Sequence, residues 1–376
     1  MTTKSSALAT PASQPAVSAQ PATVVASAPG RICLFGEHQD YLRLPVIAMA
    51  IDLRVTLTGH RRTDPVFHVS LPDVDQTLVY NPNEPFAYRH DRDYLPAASN
   101  VLARQGVRWP VGYDVEVRGR IPINSGASSS SALQIAWTAF LLAAAGDPRC
   151  HDPEFIARWA QFSEVPEFGS PGGMMDHYSS ALGGVVYLDC LDPIGFERLP
   201  ETVGPFVLID SGTPKATNEV LGRVRRGVEE GAAAAGIAME AGASPLLTVD
   251  PSGIAPLPDA GQDRMLRAAL RNRDLTIRAR EALLADRPQA VIGTLLDEHH
   301  AELSAGLGIS TPLIDNLLDR ARGAGALGGK INGSGGGGSC FALCPGNAGI
   351  VAALMSDAGY RADVVRCGPG VTVETA

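Results

Sequence analysis

Apolar and polar positions along the chain change period several times, and each change predicts an element. Apolar runs over residues 32–35 and 51–58 read as strands, and residues 113–118 alternate at period two as a half-buried strand does. After a turn carrying Pro122, Asn124, Ser125 and Gly126, the period lengthens. Leu133, Ala136, Trp137, Phe140, Leu141 and Ala144 recur at i, i+3, i+4, i+7 and i+8, which predicts an amphipathic helix ending at Gly146. A second helix is expected over 153–164, with Phe155, Ile156, Trp159 and Ala160 turned inward. Residues 185–188 and 206–209 read as strands, with a domain link over 192–205. The second half continues with helical patterns over 265–285 and 289–303. A helix capped at Ser310-Thr311-Pro312 follows, burying Ile314, Leu317, Leu318 and Ala321 and ending near Gly323, then a strand over 340–343. Domains are thus drawn at 24–195 and 196–376, after a polar, Ala/Ser/Pro-rich tail over 1–23 that is expected to be disordered.

Composition narrows the classes. With 376 residues, 45% of them hydrophobic, the chain can bury one large core or two ordinary ones. A net charge of −9 argues against a nucleic-acid surface, which needs a basic face. No apolar run reaches membrane-spanning length, and no basic segment followed by a leucine-rich core marks a signal peptide. Six scattered cysteines fit reduced thiols in the cytoplasm. Cys340 and Cys344 sit in an apolar run and read as buried strand thiols rather than metal ligands.

Three stretches carry candidate chemistry. Ser128, Ser129, Ser130 and Ser131 open the helix that follows Gly126. Free N–H groups and the dipole at a helix start favour an anion such as phosphate. A serine-capped core helix is the other reading, and the common P-loop is excluded because Gly-Lys-[Ser/Thr] is absent. Glu37, His38 and Asp40 crowd the loop after the first strand, where they can bond several hydroxyls or simply form a solvated turn. Asp176 follows Pro171-Gly-Gly-Met-Met, as a functional carboxylate or as a helix cap. The glycine run 328–339 contains Lys330 and Ile331 and is flanked by regular elements, which speaks against a flexible linker. His299-His300 lacks ligand spacing and reads as structural.

Taken together, these stretches resemble the signature motifs of the GHMP small-molecule kinases, from about residue 24 onward. Ala28-Pro-Gly-Arg-Ile-Cys-Leu-Phe-Gly-Glu-His-Gln-Asp-Tyr41 is most similar to the galactokinase motif APGRVNLIGEHTDY, with Cys33 in place of asparagine. The run from Ile121 to Ala132 resembles IPxGxGLSSSAA, with Asn124 in place of a glycine. The run from Gly328 to Ser339 resembles GxxMTGxGFGGC, with Asn332 and Ser339 at its threonine and cysteine positions. Pro171–Asp176 resembles PCGIMD, preceded by Glu164 at the family's acidic position. Four motifs in register are far more specific than one.

The resemblance implies a two-domain α+β fold, with an N-terminal domain like domain 2 of ribosomal protein S5 and a ferredoxin-like C-terminal domain. It implies transfer of the γ-phosphoryl of ATP to a sugar's anomeric hydroxyl, with Mg2+. Asp176 would be the base and Arg31 its partner. Gly126, Ser128, Ser129, Ser130, Ser131, Gly333, Gly335 and Gly336 would hold the nucleotide, and Ser130 and Glu164 the metal. Glu37, His38, Asp40 and Gly173 would hold the sugar. The family's sugar-contacting tyrosine is missing from Val220-Leu221-Gly222-Arg223, although Arg225-Arg226 match, and Lys215 also departs from the usual residue. The acceptor can therefore be a different sugar. The alternatives are a mevalonate-type kinase and a non-catalytic sugar and ATP sensor on the same fold.

Overall fold

The computed structural model describes residues 20–90, 93–122, 126–214, 217–239 and 244–376. The first part of the chain supplies β1 (Thr23–Phe35), β2 (Val46–Arg61), β3 (Phe67–Leu71), β4 (Gln76–Tyr80), α1 (Tyr94–Arg104) and β5 (Tyr113–Gly119). Next come α2 (Ser129–Ala144), α3 (Pro153–Glu164), α4 (Met175–Leu182), β6 (Val185–Leu188) and β7 (Phe196–Leu199). The remainder gives β8 (Phe206–Asp210), α5 (Thr217–Ala234), α6 (Ala260–Leu284), α7 (Gln289–Ala301) and α8 (Pro312–Gly323). It closes with β9 (Gly328–Asn332), β10 (Ser339–Leu343), α9 (Ala348–Asp357), β11 (Arg361–Val365) and β12 (Thr372–Thr375).

These elements form two sheets. The first runs β12-β1-β2-β5-β3-β4, with β6 added to β2 and β7 to β6. Only β3 against β5 is parallel within it. The second sheet runs β11-β8-β10-β9 and is antiparallel throughout. There are two apolar cores: Phe206, Leu208, Phe341, Leu343 and Val365 of the second sheet join the first sheet's core, and Val207, Ile209, Cys340 and Ala342 line the other. The two sheets with their helices give the expected two-domain α+β architecture. The division drawn at residues 195/196 falls between two strands of one sheet, because β7 pairs with β6. β12 also returns to the first sheet, with Val24 opposite Thr375. Among the described residues, no helix is long and apolar enough to cross a membrane.

The α2 helix packs as its period requires. Trp137 and Phe140 stack at 5.3 Å, and Phe67 and Tyr113 meet each other and the Phe140 ring edge to face. A Cβ on Gly59 of β2 would lie 2.3 Å from the Phe140 ring, so the missing side chain is what lets helix and sheet close. Burying two such aromatics stabilises the first domain by about 1.5–3 kcal/mol each. Phe155 and Trp159, expected inward on α3, are only half-buried, whereas Ile156 and Ala160 are fully buried. The tail expected over 1–23 falls mostly on residues 1–19, outside the described residues, and Thr23 already belongs to β1. Asn124, Ser125 and Lys215 also lie outside the described residues.

Candidate functional site

The site begins at a bulge in β1. The register of β1 against β2 shifts between Pro29 and Arg31, and a Cβ on Gly30 would lie 2.7 Å from the Ala127 carbonyl. Glycine thus lets the strand touch the serine loop, where Arg31 N donates to Ala127 O at 3.2 Å. A bulge re-aims the next side chain. Arg31, 3% exposed, reaches Asp176 Oδ1 through Nε at 2.8 Å and Nη2 at 2.7 Å, and its Nη1 donates to Gly126 O at 2.7 Å.

Asp176 lies in the first turn of α4 and accepts the Ser128 hydroxyl on Oδ2 at 2.6 Å. Burial pushes the Asp176 carboxyl up, but the Arg31 charge and the hydrogen bonds from Ser128 and Arg31 outweigh it and hold it below the ordinary range. The capping readings are therefore both displaced. Ser128, left-handed at φ 57°, makes no capping hydrogen bond to α2. Asp176 caps nothing. Asp40 takes that task from a distant loop, accepting Met174 N at 2.9 Å and Met175 N at 3.1 Å on Oδ2. Burial raises the Asp40 carboxyl, and these backbone donors offset part of the rise.

The Glu37–Asp40 loop is built from both sheets. Lys330 of β9 donates to Glu37 Oε1, and also to Cys33 O at 2.8 Å and Ile331 O at 2.9 Å. Glu37 Oε2 has no partner among the described residues. His38 bonds the Ser334 carbonyl through Nε2 at 2.9 Å and the Tyr41 hydroxyl through Nδ1 at 2.7 Å. Only a ring protonated on Nε2 alone can donate to that carbonyl and accept from the tyrosine. Burial lowers the His38 pKa to about 4, in keeping with that neutral form. Leu42 and Leu44, beyond the loop, insert into the second core.

One cleft of about 380 Å3, in the size range of small-molecule sites, gathers most of the expected residues. Arg31, Gly126, Ser128, Ser129, Ser130, Ser131, Glu164, Asp176 and Gly333 line it, with Glu37, His38, Asp40 and Gly173. Gly335 and Gly336 do not. They are left-handed at φ 80° and 74°, and Gly336 N donates to Ile309 O at 2.8 Å, away from the cleft. Lys330, His177, Tyr41 and the α5 residues Thr217, Asn218 and Leu221 were not singled out as site residues from the sequence. Lys330 and His177 hold site carboxylates, and the α5 residues line the cleft in the region where the tyrosine is missing. Helical period could have placed Thr217 and Leu221 on one face, but not the face on the cleft. His300 is also not alone: its Nε2 meets Asp315 Oδ1 at 3.0 Å, away from the cleft lining.

Residues 93–184 match the model for the GHMP kinases N terminal domain and 279–361 that for GHMP kinases C terminal. Residues 15–61 match the galactokinase galactose-binding signature. A galactokinase of Streptomyces coelicolor is 30% identical over 84% of this chain and 83% of its own length. A mevalonate kinase of Pyrococcus abyssi is 30% identical over 92% and 96%. The crystal structure of Lactococcus lactis galactokinase complexed with galactose superimposes with a TM-score of 0.79 at 22% identity, covering 93% of this chain and 95% of that one. Two matched domains in order, a shared two-sheet fold and relatives aligned along nearly their whole length place this chain in the GHMP kinase family, whose members use ATP to phosphorylate small molecules.

Proposed function

We propose that the protein transfers the γ-phosphoryl of ATP to the anomeric hydroxyl of a neutral monosaccharide. The observation that carries this reading is Glu37: a buried carboxylate in the cleft lining whose Oε2 lacks any partner among the described residues. Leaving such an acceptor unmet costs about 1–3 kcal/mol, which a ligand hydroxyl recovers. A sugar offers several such donors.

Similarity to mevalonate kinases supports a second reading, in which the acceptor carries a carboxylate. Charge disfavours it. Among the described residues lining the cleft, the one Lys or Arg is Arg31, and Asp176 occupies it. Glu37, Asp40, Glu164 and Asp176 surround the remaining space, so an anionic acceptor would be repelled by several acids.

In this reading the triphosphate meets the first turn of α2, whose N–H groups have no intrahelical acceptor. Arg31 sits beside Asp176, where it offsets charge on the transferred group. Asp176 orients the acceptor hydroxyl and takes its proton as the new O–P bond forms. A carboxylate held below the ordinary range is a weak base, so orientation is the larger part of its contribution. No group of three or more His, Cys, Asp or Glu side chains able to hold a metal comes together among the described residues. The exposed Ser130 hydroxyl and the Glu164 carboxylate, both lining the cleft, nevertheless suit Mg2+, which takes one or two protein oxygens and completes its shell with phosphate and water. Bound there, the ion would neutralise phosphate charge.

ADP release measured with galactose, a panel of other aldoses and mevalonate tests the proposal. Turnover of at least one aldose is expected. Turnover of mevalonate with no aldose accepted would overturn it.

A further inference from the structure

We infer that His177 is a positioning residue for the Glu164 carboxylate and, through it, for the divalent cation that accompanies the nucleotide. This rests on the reading of Glu164 as a cation ligand given above. His177 follows Asp176 directly, so the first turn of α4 carries two site residues on adjacent positions. Asp176 meets Arg31 and Ser128, while the His177 ring meets α3, where Nε2 lies 2.7 Å from Glu164 Oε2. His177 is 2% exposed and Glu164 9%, and both line the cleft.

Glu164 needs such a partner for a physical reason. It is the last residue of α3, where the helix dipole presents its negative end and disfavours a carboxylate. A donor on Oε2 offsets that field and fixes which oxygen remains for a cation. The ring has no competing polar task, since His177 Nδ1 has no partner among the described residues. Groups that hydrogen-bond a metal ligand typically govern metal affinity by about 10- to 100-fold.

Isothermal titration of the full-length protein with ATP, at increasing Mg2+, separates the possibilities. The variants are Glu164→Gln, His177→Leu and His177→Gln; the glutamine amide can replace the Nε2 donor. Circular dichroism confirms that each is folded. His177→Leu is expected to raise the Mg2+ concentration at which ATP binding tightens by about 10- to 100-fold, with ATP affinity in EDTA unchanged. His177→Gln should recover most of that loss, and Glu164→Gln should remove most of the Mg2+ response. A wild-type Mg2+ response in His177→Leu, with Glu164→Gln impaired, overturns the role of His177. Equal losses in His177→Leu and His177→Gln, or a matching loss in EDTA, overturn it as well, because the defect is then one of packing. An undiminished response in Glu164→Gln removes Glu164 as a ligand, and the inference falls with it.

Discussion

Lys330, on the edge strand of the second sheet, is ion-paired to Glu37, in the loop leaving the first strand of the other sheet, and the side chains are 0% and 1% exposed, Glu37 at the cleft wall. Two further carbonyls complete the Lys330 ammonium, and its Nζ lies 4.9 Å from the Phe341 ring centre. The loop that would hold the acceptor is therefore fixed by a charge from the opposite half of the molecule.

Replacing one partner leaves the other buried and uncompensated. Lys330→Met should cost about 3–5 kcal/mol, and the double variant Lys330→Met/Glu37→Gln clearly less. Urea denaturation of the three proteins measures it. A double variant at least as unstable as the single would show that packing, not charge, is lost.

Arg31 keeps Asp176 ionised against the effect of burial. Because the folded-state value lies below the unfolded one, the stability this contributes is fully present above about pH 4 and is lost as pH falls through the folded value. In Arg31→Met burial dominates and the Asp176 carboxyl rises. The acid limb of kcat/KM should move upward by at least about one pH unit, alongside a large fall in its plateau. A limb that stays in place in the pH–rate profile would detach Arg31 from the ionisation of Asp176.

Gly173 is fixed by contact rather than by backbone conformation. A Cβ there would lie 1.9 Å from Asp40 Oδ2, the atom that accepts both N–H groups at the start of α4. Gly173→Ala should push Asp40 off those donors and shift Asp176. Misplacement of about 1 Å can cost about 100-fold in kcat/KM, and steady-state kinetics with an intact thermal transition would show it. Wild-type kinetics would mean that Asp40 can move without disturbing α4.

Asn332 joins three segments. Its Oδ1 accepts Cys33 N at 3.0 Å and its Nδ2 donates to Gly126 O at 3.1 Å. Asn332→Ala leaves a buried strand N–H unpaired and should cost about 1–3 kcal/mol. Because the Gly126 carbonyl also holds Arg31, the KM for ATP should rise too. Chemical denaturation and nucleotide titration read the two effects separately.

Much of this was legible where local signals agree. The period of α2, the Thr311 cap of α8, accepting Ile314 N at 3.2 Å, and the apolar runs of β8 and β10 each lie in one window of sequence. The strands β3, β4 and β12 are short and half-exposed; Phe67, Val69 and Leu71 do alternate with polar residues, but only over five positions, and β12 finds its partner at the far end of the chain. The motifs pointed to Asp176, Arg31 and the serines, which line one cleft. They gave no sign that Asp40 would hold a helix end, that Lys330 would neutralise Glu37, or that His177 would turn to Glu164. These pairings are set by packing between distant elements. Gly335 and Gly336 show the reverse case, in which a motif position serves backbone packing against Ile309 rather than the cleft.

The pairing of β12 with β1 has a bearing on how the protein folds. Thr23 and Ala376 exchange backbone hydrogen bonds at 3.0 Å in both directions. The outer edge of β1 therefore stays open until Thr372–Thr375 folds back to cover it. β12 covers only Val24 to Ser27, so the Arg31 end of the strand, held by β2 and the serine loop, can close on Asp176 without waiting for it.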